Sequence, residues 1–112
     1  MNVKLHTDAH VVVDAELAAR IEGDVADQLA RFDRITRVEV HLSDESGGKR
    51  FGDDVRCLIE ARAAGLRPVA VNHAARTAAD AIDGAVEKLV AVLTHTFERR
   101  EGRANRETIR GR

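Results

Sequence analysis

The chain has no tryptophan and no tyrosine, and three phenylalanines are its whole aromatic content. Stacking of bases on exposed rings is therefore excluded as its main mode of nucleic-acid contact, and any such contact must work through phosphates. A single cysteine excludes an internal disulfide. No apolar run approaches the ~20 residues that a membrane-spanning helix needs, and no secretory signal is present. These absences point to a cytoplasmic protein without a membrane partner. A formal net charge of −1 argues against a strongly basic nucleic-acid binder.

What charge there is lies unevenly. Residues 1–98 hold 12 basic and 17 acidic side chains, whereas residues 99–112 hold six arginines against two glutamates. Attraction for a polyanion is concentrated at the C-terminal end. At 112 residues the chain suffices for one domain with one modest core.

Hydrophobic periodicity gives the element order. Val3 and Leu5 alternate with Lys4 and His6, a short strand, and Asp8 to His10 turn the chain. Asp14 is a good N-cap for a helix over 15–32, in which Leu17, Ile21, Val25, Ala26, Leu29 and Phe32 recur at helical spacing. Its outward face, Glu16, Arg20, Glu22, Asp24, Asp27, Gln28 and Arg31, is mostly acidic in the middle. Val38, Val40 and Leu42 alternate with Arg37, Glu39 and His41 in a half-buried strand. Gly47-Gly48 suits a hairpin tip, and Val55, Cys57, Ile59 and Ala61 mark the next strand. Leu66 to Asn72 reads as a fourth strand, placed at an edge because Pro68 cannot donate to a ladder.

The longest periodic run, Thr77 to Arg100, carries Ala78, Ala81, Ile82, Ala85, Val86, Leu89, Val92, Leu93 and Phe97 on one face. Thr77 and Asp80 form a capping start, and Gly102 is a stop signal. A second line, Gly84, Lys88, Ala91, His95 and Arg99, forms a ridge expected to be exposed. The expected architecture is an α+β domain of order β-α-β-β-β-α over 1–100, with a four-stranded sheet and both helices packed on one face. The first crossover should return parallel. Lys4, His6, Arg37, Glu39, His41, Arg56, Glu60 and Arg62 then occupy the other sheet face. Residues 101–112, polar and Arg-rich, read as a flexible tail.

Catalytic signals are missing. His6, His10, His41, His73 and His95 lack metal-ligand spacing, so no metal is expected, and no phosphate loop, nucleophile elbow or dinucleotide turn occurs. Asp53 and Asp54 are adjacent and point apart, and Asp80 and Asp83 are expected near a helix N-terminus in any case. Cys57 has no neighbour that would lower its pKa and reads as a small buried hydrophobe. The expectation is a non-enzyme without cofactor or small-molecule substrate.

The element order, with the FDRI turn at Phe32–Ile35, the VEVHL strand at 38–42 and the DAIDGAVEKL opening of the last helix at 80–89, resembles the family of ribosome hibernation promoting factors and ribosome-associated inhibitors. That family is also labelled sigma-54 modulation or S30EA, and the resemblance covers about residues 3 to 100. It implies a domain that binds the small ribosomal subunit in the messenger and transfer RNA channel and silences idle ribosomes, its helices touching the 16S rRNA backbone. The chain resembles the short kind, without the C-terminal dimerisation domain of longer members, and the resemblance implies that it would act on the ribosome as a monomer.

Carried over residue by residue, the resemblance makes Lys88, Arg99 and Arg100 rRNA contacts, with Arg31 and Arg34 near the end of the first helix. His95 stands where a lysine is common and Ala91 where an arginine is common. Asp24 and Asp27 would repel phosphate. They support a second reading, a diverged member of the same fold that acts as a protein-interaction or regulatory module without rRNA binding.

Overall fold

The computed structural model describes residues 1–45, 52 and 54–110, the last twelve of these by backbone alone. Six elements follow in the expected order: β1 (Asn2–Thr7), α1 (Ala15–Leu29), β2 (Ile35–Asp44), β3 (Val55–Ala63), β4 (Val69–Ala75) and α2 (Ala78–Arg110). The sheet order is β1-β2-β3-β4. β1 runs parallel to β2, and β2, β3 and β4 form an antiparallel meander.

Period-two alternation sorts the strand residues between two faces. Val38, Val40, Leu42, Val55, Cys57, Ile59 and Ala61 are buried together with Val25 and Leu29 of α1 and with Ala81, Ile82, Ala85, Val86, Leu89 and Leu93 of α2. Both helices therefore cover one face, and a single cluster joins all of these residues. The opposite face is solvated and of mixed sign, with Lys4 beside Glu39, His6 beside His41 and Arg37 beside Arg62. There the His6 and His41 rings stack at 4.7 Å, and Glu39 accepts from Arg37 at 3.2 Å and lies 3.3 Å from His6. Partial burial pulls the Glu39 carboxyl up, but Arg37 and His6 together outweigh it and hold it below its ordinary value.

Local boundaries move for identifiable reasons. Asp14 caps α1 as expected, its carboxylate accepting from the Leu17 N–H at 2.7 Å. The helix ends at Leu29 rather than Phe32, because Phe32 N–H turns back to the Leu29 carbonyl and Ile35 N–H to the Phe32 carbonyl. β4 begins at Val69, three residues later than expected. Gly65 with φ of 77° and the Leu66–Ala63 turn occupy the preceding stretch, and Pro68 supplies no ladder donor. The strand is an edge, as proline had indicated. Glu45 N–H donates to the Asp54 carbonyl at 2.9 Å, closing the β2–β3 connection. The expected Gly47-Gly48 tip lies outside the described residues.

Three expectations about faces are corrected. Glu22, read as outward, is half-buried, and its carboxylate accepts from the Leu5 N–H at 2.8 Å, so α1 satisfies a donor of the β1 edge. Val92, read as core, is 39% exposed. Leu17, also read as core, is 41% exposed, because it lines an open cleft between α1 and the first turns of α2. Gly102 does not stop α2, whose backbone continues to Arg110 through the stretch read as a tail. One helical glycine costs at most about 1 kcal/mol, and the arginines, glutamates and Ala104 around it favour helix.

Candidate nucleic-acid interface

The position of α2 is set at its first turns. Thr77 Oγ1 accepts from the Asp80 N–H at 3.1 Å, fixing where the helix begins. One turn later Gly84 lies against the His73 imidazole of β4. A Cβ built there would come within 2.6 Å of His73 Cγ and closer still to Cδ2 and Nε2. Absence of a side chain at Gly84 is what lets α2 settle onto β4. Gly84 is thus a half-buried packing residue, not part of an exposed ridge.

That close approach carries Lys88 to the sheet edge. Its Nζ donates to the Asn72 carbonyl at 3.0 Å while the residue remains exposed. The ammonium is held beside β4 with two further N–H directions open to solvent acceptors. His95, seven residues on and about 10 Å further along the axis, continues this β4 flank and is also exposed. Arg99 and Arg100 belong to the α2 backbone, and their side chains lie outside the described residues.

Arg31 belongs to a different flank. Its Nη2 donates to Thr94 Oγ1 of α2 at 2.8 Å, and its guanidinium sits 4.7 Å from the centroid of the Phe32 ring. Phe32 meets Phe97 edge-on at 5.4 Å, so Arg31, Phe32, Thr94 and Phe97 clamp the end of α1 to α2. Arg34 is exposed in the turn before β2, and its carbonyl accepts from the Ala64 N–H at 3.0 Å.

The anticipated contacts whose side chains are described do not converge. Lys88 and His95 stand on the β4 side of α2, and Arg31 stands on the α1 side with Asp83 and Glu87 nearby. Sequence spacing had grouped Lys88 with His95 correctly. It gave no sign of the Asn72 or Thr94 partners, which come from elements distant in the chain. On the α1 side a cleft of about 490 Å³ opens between the helices, lined by Leu17, Ile21, Val25 and Ile82 and rimmed by Arg20, Asp24, Asp27 and Asp83. Its carboxylates are arranged to repel phosphate.

Among the described residues no group of three or more His, Cys, Asp or Glu side chains is placed to hold a metal ion. Cys57 is fully buried, and desolvation pushes its thiol up to about 12. No helix among the described residues is long and apolar enough to cross a membrane.

The fold recurs in solved structures. The N-terminal domain of Protein Y from Thermus thermophilus superposes with a TM-score of 0.66 at 22% identity, covering 86% of this chain and 99% of that one. A ribosomal subunit interface protein from Coxiella burnetii superposes with a TM-score of 0.62 at 13% identity, covering 88% and 99%. At these identities the likeness is one of fold. No curated protein matches the chain. Residues 4–101, from the middle of β1 to the far part of α2, match the family described as sigma 54 modulation protein / S30EA ribosomal protein, and the chain belongs to that family.

Proposed function

We propose that the protein is a hibernation-type translation inhibitor that binds the small ribosomal subunit through the 16S rRNA backbone and occupies the messenger and transfer RNA channel. The observation that carries this reading is the family match over residues 4–101 together with Lys88, an exposed ammonium steadied at the edge of α2. The Coxiella burnetii protein of the same fold is a ribosomal subunit interface protein, which supports the same reading.

The mechanism is occupancy, not turnover. Lys88 and His95 on the β4 flank, followed by Arg99 and Arg100, would meet successive phosphates, with Arg31 and Arg34 touching a neighbouring strand of rRNA. Lacking aromatic platforms, the protein would read shape and charge rather than bases. It works in the cytoplasm as a monomer on the ribosome, without cofactor or metal.

Co-sedimentation with 30S and 70S particles at two salt concentrations tests this. The wild type should pellet at low salt and be released at high salt, because each phosphate contact displaces counterions. Reversal of Lys88, Arg99 and Arg100 to Glu should abolish pelleting. Unchanged pelleting of that triple variant would remove the site assignment, and a wild type left in the supernatant at low salt would remove the function.

A second reading, a protein-interaction module of the same fold, is favoured by the acid-rimmed cleft between α1 and α2. Salt-insensitive association with a protein, without ribosome binding, would establish it instead.

A further inference from the structure

We infer that the cleft between α1 and α2 is a self-association site that receives the Arg-rich C-terminal segment, residues 99–112, of a second copy of the chain. The floor is apolar. Leu17 is 41% exposed and Ile21 half-buried, and Ala78, Ala79 and Ile82 face them across a cleft of about 490 Å³. The rim carries Asp24, Asp27 and Asp83 against Arg20 alone, and all three carboxylates are exposed. Among the described residues no cation is paired with any of them. An apolar floor with an anionic rim fits a cationic segment that carries an aliphatic anchor.

The chain itself supplies such a segment. Residues 99–112 hold six arginines against two glutamates, and Ile109 is the one large aliphatic residue among them. It cannot reach its own cleft. α2 is one continuous helix from Ala78 to Arg110, so residues 101–110 lie roughly 30–40 Å along the axis from Ile82. Two copies with antiparallel α2 helices bring each C-terminal segment to the other's cleft. The contact is then made twice, and the assembly closes as a two-fold dimer rather than growing into a filament. Because Arg99 and Arg100 of this segment are also proposed to meet rRNA, dimer and ribosome would compete for those two residues.

The test is sedimentation velocity of the full chain without ribosomes, over a range of concentrations and at two salt concentrations. The wild type should move from monomer to dimer mass as concentration rises, with weaker association at high salt. Asp24→Lys with Asp27→Lys should weaken the dimer by at least about tenfold, and Arg103→Glu with Arg106→Glu should do the same. The two pairs combined in one chain should restore it, since the charges are exchanged across the contact. Asp24 and Asp27 are exposed, and an unchanged circular dichroism spectrum checks folding of every variant. A wild type that stays monomeric at every concentration overturns the inference. So does a dimer indifferent to both pairs of reversals, or a combined variant that fails to recover. Binding of a synthetic 99–112 peptide by a chain that remains monomeric would equally overturn it, showing a cleft that takes basic segments from other proteins.

Discussion

The two flanks of α2 share one helix and differ in almost everything else. On the β4 flank the helix lies so close to the sheet that only glycine fits at position 84, and the reward for that proximity is a lysine held at the strand edge. On the α1 flank a cleft separates the two helices, leaving Leu17 exposed and Asp24, Asp27 and Asp83 around it. The first flank is built to present a fixed cation, and the second to keep an acidic, apolar-floored space. The proposed phosphate contact at Lys88 and the proposed docking cleft thereby fall on different flanks of one helix.

The comparison is broken most severely at Gly84. Gly84→Ala places a methyl inside the His73 ring, so it should destabilise the fold by about 1–3 kcal/mol, read as a lower midpoint in urea. The displaced helix should also weaken ribosome pelleting. Gly23 in α1 supplies the control, since nothing lies within 4 Å of a Cβ built there. Gly23→Ala should stabilise by about 0.4–1 kcal/mol, raising the same midpoint.

The clamp between the flanks is weaker. Arg31→Ala removes a hydrogen bond to Thr94 and the stacking on Phe32, and should cost about 1 kcal/mol in denaturant titration. Its effect on ribosome pelleting should be smaller than that of Lys88→Glu, because Arg31 stands among acidic neighbours and Lys88 does not share that flank. Equal losses would show that both flanks meet rRNA.

The smallest effect lies on the open sheet face. Because Glu39 is held below its ordinary pKa, whatever it contributes to stability is complete above about pH 4.5 and fades as pH falls through the lowered folded value. Arg37→Ala should move the Glu39 carboxyl up toward its ordinary value, measured by NMR titration of its side-chain carbon.

Element order, the Asp14 and Thr77 caps and the buried faces of β1, β2 and β3 were legible in the sequence, because each follows from spacing within one segment. The edge position of β4 followed from a single proline. The likeness carried by DAIDGAVEKL acquires a physical basis in the structure, where Gly84 admits the His73 ring and Lys88 reaches Asn72. Gly102 misled because a lone glycine is a weak stop when its neighbours favour helix.

Only the tertiary structure decided how those faces meet. Periodicity tells which residues of a helix share a side, but not the azimuth at which a neighbouring element docks or how widely two helices splay. For that reason Glu22 passed for a solvated carboxylate until β1 appeared beneath it, and Leu17 for a core residue until it proved to line an open cleft. Arg31 and Lys88 likewise seemed members of one basic surface. The sequence by itself determined the fold's parts and the line of Lys88 and His95. The packing of α2 between α1 and β4 alone determined that the cations divide between two flanks, since a contact between distant segments leaves no periodic trace in either.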